Sequence, residues 1–141
     1  MIEVSVRCPY CKKTLMDEEK KIDDRPSVRV MIQVGDKTGI LHLSSLYGSY
    51  NIWCEFDIPM GAIATFLCPH CMANLKSTMV CERCDAPMVF FEFHGAGIIK
   101  ICARRGCKKH LIAFDDIEKE IIAFYEEFPL FFKDIVRKGG E

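Results

Sequence analysis

The sequence predicts an α+β chain, in which small antiparallel β-sheets are organised by two four-cysteine sites and a C-terminal amphipathic helix follows. Three observations carry this expectation. Eight of the nine cysteines stand in close pairs, Cys8/Cys11, Cys68/Cys71, Cys81/Cys84 and Cys102/Cys107. Between the pairs, polar and apolar residues alternate with the period of two that marks strands. Past His110 the apolar residues recur at helical spacing instead.

The elements follow in chain order. Arg7-Cys8-Pro9-Tyr10-Cys11-Lys12 is a first knuckle, and a charged run leads from it to Asp24. Arg25-Pro26 closes that run and starts an extended stretch, because a residue before proline is pushed out of the helical region. Val28, Val30, Ile32 and Val34 share one strand face. Gly35-Asp36-Lys37-Thr38-Gly39 reads as a turn, with Ile40 to Leu43 pairing back as a hairpin. Tyr50, Ile52, Cys54 and Phe56 alternate with Asn51, Trp53, Glu55 and Asp57. Pro59 and Gly61 interrupt, and Ala62 to Leu67 runs into the second knuckle. Met88 to Phe93, a turn at His94-Gly95-Ala96-Gly97, and Ile98 to Ile101 make another hairpin between the third and fourth pairs. Asp115 and Glu118 then suit a capping box, and Ile117, Ile121, Phe124, Tyr125 and Phe128 recur as one helical stripe. Pro129 interrupts before a second apolar cluster that includes Phe131 and Phe132. The expected divisions are a lobe over 1–75, a hairpin unit over 76–112 and a helical segment over 113–141. Two metal lobes also suggest a loose internal duplication, without an exact repeat.

A tight turn aims two thiolates at one point, and two such turns supply the four sulfurs of a tetrahedral Zn²⁺ site. Cys8, Cys11, Cys68, Cys71, Cys81, Cys84, Cys102 and Cys107 are thus the expected ligands of two ions, zinc before iron. Sequential sharing of the pairs is the leading arrangement, with nested and crossed sharing as alternatives. Cys54 stands alone on a core-facing strand position, where cysteine behaves as a small hydrophobe. His70, His94 and His110 lie near the cysteines, and only His110 stands where it could replace a sulfur.

Half the residues are hydrophobic and 28% are charged, which marks a globular chain. No apolar stretch approaches a membrane span and no apolar signal segment follows Met1, so the expectation is a soluble, cytoplasmic protein. A reducing compartment favours metal over disulfides, as does the odd number of cysteines. The formal charge of −1 falls to about −5 once two four-thiolate sites are deprotonated and filled, each adding +2 − 4 = −2. Charge is uneven along the chain. Residues 76–110 carry seven Lys/Arg against three acids, 7 − 3 = +4, and residues 111–141 carry four against eight, 4 − 8 = −4.

The stretch from Cys81 to Cys107, two knuckles around a Gly-centred hairpin, resembles the zinc ribbons at the C-termini of bacterial type IA topoisomerases. The stretch from Cys68-Pro69-His70-Cys71 through Cys84 resembles the short double-zinc-ribbon modules of bacterial proteins. The glycine that commonly follows a knuckle is replaced here by Lys12, Met72, Asp85 and Lys108. The resemblance implies a zinc-ribbon-like fold, with no enzyme core beside it.

No phosphate-binding glycine loop, HExxH pattern or catalytic triad is present, so the expectation is a non-catalytic protein. A closed four-sulfur site leaves no position for an activated water. The leading reading is an adaptor or small subunit of a protein assembly, which docks a protein partner or a second copy through Trp53, Phe124, Tyr125, Phe128, Phe131 and Phe132. The alternative is a nucleic-acid-binding ribbon, with Lys100, Arg104, Arg105, Lys108 and Lys109 on phosphates and Phe90 or Phe93 stacking on bases. A second alternative is a rubredoxin-like iron electron carrier.

Overall fold

A computed structural model of the chain describes residues 3–93, 97–107 and 110–113, the last four as backbone. Among the described residues there are ten β-strands, no helix, and two five-stranded antiparallel sheets. The strands are β1 (Val6–Arg7), β2 (Met16–Ile22), β3 (Arg25–Val34), β4 (Lys37–Leu43), β5 (Ile52–Cys54), β6 (Thr65–Leu67), β7 (Lys76–Val80), β8 (Pro87–Phe93), β9 (Gly97–Cys102) and β10 (His110–Ala113). One sheet runs β2-β3-β4-β5, with β6 also on β3. The other runs β1-β8-β9-β10, with β7 also on β8.

The α+β expectation is therefore corrected to all-β for the described residues. The chain past His110 does not turn helical at once: His110 to Ala113 form β10, with His110 opposite Ile101 and Ala113 opposite Ile98. The backbone groups along that side of β9 need partners, and a neighbouring strand supplies them whatever the local preference of four residues. The helix expected further on, with Phe124, Tyr125, Phe128, Phe131 and Phe132, lies outside the described residues.

The central hairpin forms as the alternation predicts. Val28, Val30 and Ile32 are buried and Val34 is half-buried. The turn is tighter than expected, because Val34 already pairs with Lys37. Only Gly35 and Asp36 remain between the strands, and Gly35 takes a φ of 61° that a two-residue hairpin turn of this kind requires. The charged run after the first knuckle is itself strand β2, bulged between Asp17 and Lys21. Its charge suits a sheet edge, where lysine and glutamate discourage pairing with another chain.

Each half of the chain repeats one order of elements: short strand, knuckle, strand, long hairpin, edge strand. The halves exchange their first strands. Val6 and Arg7 of β1 lie opposite Phe93 and Glu92 of β8. In return Phe66 and Leu67 of β6 lie opposite Ile32 and Met31 of β3. Such reciprocity is what an isologous pair of subunits shows, here within one chain. Between the sheets Leu15, Val28, Val30 and Ile32 pack with Leu75, Val89, Phe91 and Ile99. Each such side chain contributes about 1.5–3 kcal/mol by leaving water. On the opposite face of β8, Phe90 is fully buried with Tyr10 edge-on to its ring at 6.0 Å.

Candidate metal centres

The knuckles form without the glycines that usually permit them. Lys12, Met72 and Asp85 take positive φ values of 66°, 61° and 61°. A residue with a side chain resists that conformation by roughly 1–3 kcal/mol, so something must hold it. Backbone bonds do: Lys12 N–H donates to Cys8 O at 3.0 Å, Met72 N–H to Cys68 O at 2.8 Å, and Asp85 N–H to Cys81 O at 2.8 Å. Further amides point at sulfur, Tyr10 N–H at Cys8 Sγ (3.4 Å), His70 N–H at Cys68 Sγ (3.3 Å) and Arg104 N–H at Cys102 Sγ (3.4 Å). Such donors favour thiolate over thiol.

The cysteines gather sequentially. Cys8, Cys11, Cys68 and Cys71 form one group, and Cys81, Cys84, Cys102 and Cys107 the other, with all sulfurs of a group within 4.8 Å of one another. Cys8 lies 3.7 Å from Cys71 and Cys11 lies 3.8 Å from Cys68. In the second group Cys81 lies 3.7 Å from Cys107 and Cys84 lies 3.4 Å from Cys102. Sulfurs placed ~2.3 Å from one ion at tetrahedral angles stand about 3.8 Å apart. Both groups fit that geometry, so each can hold a metal ion.

The acidities of the thiols are split within each group. Burial pushes Cys8, Cys71 and Cys102 up. Burial also works upward on Cys11, yet the Lys13 amide and the neighbouring thiols outweigh it and leave Cys11 lowered. The Ala86 amide, with the Cys102 thiol and Arg104, lowers Cys84 to about 6. Thiols so unequal in acidity release their protons together where one cation takes the place of those protons.

The two groups sit differently in the fold. The first knuckle lies where the chain leaves β1 for β2 and so passes from one sheet to the other; the second lies where it returns from β6 to β7. The first group thus joins both crossings. Glu92, buried on β8, anchors this region by binding the Arg7 guanidinium and Lys12 Nζ, the latter at 2.5 Å. His70 does not face its flanking sulfurs; its ring Nε2 lies 3.1 Å from Thr14 O across the centre. The second group joins the β7–β8 turn to the end of β9 and the loop beyond, all within one sheet.

The basic residues singled out from sequence are engaged where they are described. Lys100 is only 5% exposed. Arg104 donates to Gly61 O at 2.9 Å and to Cys84 O at 3.5 Å, and Arg105 donates to Ile58 O. Lys108, Lys109 and the side chain of His110 lie outside the described residues, as does His94. Cys54 faces the core side opposite Leu41, half-buried. Trp53 points to the other face and is 43% exposed, with Lys20 Nζ 4.0 Å from its ring centre.

Beneath Trp53 lies a histidine that the sequence did not single out. His42 is buried opposite Trp53, with ring centres 5.6 Å apart. Ser27 Oγ donates to Lys20 O at 2.5 Å, so at 2.9 Å it accepts from His42 Nδ1–H. Burial lowers the His42 pKa from its ordinary 6.5 against the pull of Asp17, with Arg29 and Lys20 assisting and Glu55 opposing. A lowered histidine contributes stability that is fully present above about 6.5 and is lost as pH falls through the folded value. NMR titration is expected to find His42 neutral at pH 7 with its proton on Nδ1. A midpoint above 6.5 would contradict the burial argument.

No helix among the described residues is long and apolar enough to cross a membrane. No protein-family model, curated protein or solved structure matches this chain.

Proposed function

We propose that the chain is a non-catalytic cytoplasmic protein that holds two zinc ions as scaffolding and acts as an adaptor or small subunit in a larger protein assembly. Four cysteine sulfurs close each centre and leave no coordination position for substrate or water, which favours a structural over a catalytic ion. Zinc is the ion that four-thiolate structural sites most commonly hold, and freshly purified protein should be colourless with two equivalents bound.

The observation that carries the adaptor reading is the edge of the first sheet. Strand β5 ends the order β2-β3-β4-β5 and exposes Ile52 and Trp53, with Tyr50 exposed just before it. Among the described residues no strand pairs with the outer side of β5, and an edge of this kind accepts an added strand from another chain. A mostly apolar cavity of about 580 Å³ opens beside it between the sheets, with Leu43, Ile52, Met60 and Ile101 in its wall. The partner that fits is an extended protein segment with an apolar residue to place there.

Replacing Ile52 by lysine and Trp53 by alanine should abolish isolation of the native complex and weaken partner binding at least about 30-fold, the scale of a tryptophan anchor. Both metal equivalents should remain. An unchanged complex from this variant would sink the docking assignment.

A further inference from the structure

The reciprocal fold gives the elements of one half counterparts in the other, and one counterpart pair of loops differs in chemistry while sharing its geometry. In the second half, Cys102 ends β9 and Cys107 follows in the loop. Arg104 N–H donates to Cys102 Sγ at 3.4 Å, Cys107 N–H donates to Arg104 O at 3.2 Å, and Gly106 takes a φ of 93°. In the first half, Leu46 N–H donates to Ser44 Oγ at 3.2 Å, Ser49 N–H donates to Leu46 O at 3.0 Å, and Gly48 takes a φ of 96°. Ser44 and Ser49 therefore occupy the places of the two sulfurs. The neighbouring backbone agrees: Val4 N–H bonds Ser45 O at 2.7 Å as Ala64 N–H bonds Ala103 O at 3.0 Å. The edge strands agree too, with Leu43 opposite Ile52 as Ile101 is opposite His110.

The other two sulfurs of the second centre, Cys81 and Cys84, come from the turn between β7 and β8. The matching turn between β2 and β3 carries Asp23 at a φ of 57°. Its Oδ2 accepts from Ser44 Oγ at 2.6 Å and Ser49 Oγ at 2.7 Å, and its Oδ1 accepts from Asn51 Nδ2 at 2.8 Å. We propose that Asp23, Ser44 and Ser49 are the ion-free counterpart of the second centre: a carboxylate gathers two hydroxyls where an ion would gather thiolates. The cluster ties the β2–β3 turn to the loop before β5 and so positions the edge that exposes Tyr50, Ile52 and Trp53. The three donors, Ser44 foremost, hold the Asp23 carboxyl below its ordinary range, so it stays an acceptor further into acid than a free carboxylate does.

Two measurements on the full chain test this. Asp23→Ala should leave two equivalents of metal bound and speed hydrogen exchange at the Leu46 and Ser49 amides at least about ten-fold, a local opening rather than a global one. Unchanged exchange there would overturn the clamp. The variant Asp23→Cys/Ser44→Cys/Ser49→Cys places three sulfurs at the cluster, enough for an ion that keeps one water. Titrated with Co²⁺, it should bind three equivalents against two for the parent, with a matching gain in thiolate charge-transfer absorption. A folded triple variant that stops at two would overturn the equivalence. The metal arm rests on reading the second centre as an ion site, and a parent binding fewer than two equivalents would overturn that reading and leave the Asp23→Ala result to decide the clamp.

Discussion

Replacing Cys68 and Cys71 together by serine is expected to abolish the cooperative fold, whereas the same change at Cys102 and Cys107 leaves a folded chain with one ion bound. Serine hydroxyls stay protonated at neutral pH and do not substitute for thiolates around zinc. A structural zinc supplies on the order of 10 kcal/mol or more to folding, against a total stability of about 5–15 kcal/mol for a typical domain. Where that energy is lost decides the outcome. The first centre clasps both points at which the described chain crosses between sheets, and β1 and β6 reach their partner sheets only beside it. Without the ion, each exchanged strand keeps two or three paired positions, too few to offset the chain entropy of holding the halves together. The second centre fastens a turn and a loop of one sheet whose strands β8 and β9 already pair over six positions. Its loss should fray the β7–β8 turn and the Arg104–Cys107 loop and leave the inter-sheet core intact. Amide NMR dispersion with metal analysis of the same samples separates the two cases. Retained dispersion in the Cys68/Cys71 variant would show that the core holds the sheets without the ion.

Much of this architecture is legible in the sequence because cysteine spacing and strand alternation are local signals. The knuckle pairs, the Val28–Ile32 face and both long hairpins need only a few neighbouring residues to be recognised. The grouping of the pairs is not local. It depends on which sheet β1 and β6 join, and strands of two and three residues carry no pattern that names a partner. Strand β2 is hidden for a different reason: Asp17 to Lys21 read as a solvated charge run, and an edge strand tolerates that composition. The end of the second sheet is hidden because His110 to Ala113 adjoin a segment with helical spacing, while the open side of β9 decides their conformation. The internal duplication leaves only a faint trace, since Ser44 and Ser49 share no residue type with Cys102 and Cys107. His42 likewise looks like any strand position until the sheet closes Trp53 over it.

Leu15→Ala and Leu75→Ala are expected to destabilise the protein by about 3–5 kcal/mol each, and by nearly equal amounts. Each leucine lies four residues past the second cysteine of a knuckle and is essentially inaccessible to water. Leu15 N–H donates to Val6 O at 3.1 Å and Leu15 O accepts from Arg29 N–H at 2.7 Å. Leu75 repeats the arrangement with Phe66 O and Phe90 N–H, both at 2.9 Å. Both backbones are thus pinned on two sides, and neither site can collapse around a smaller side chain. Removing a leucine from a rigid site costs the transfer energy of the lost atoms and the full cavity term, which sets the upper part of the usual range. Urea titration in a fixed excess of Zn²⁺ measures the change while holding constant the stabilisation from the bound ion. Near-equal costs follow from the reciprocity of the two halves, because each leucine seals the same junction between a knuckle, an exchanged strand and a long hairpin. A cost below about 1 kcal/mol at one site and several at the other would confine the repeat to hydrogen bonding and deny it to the packing.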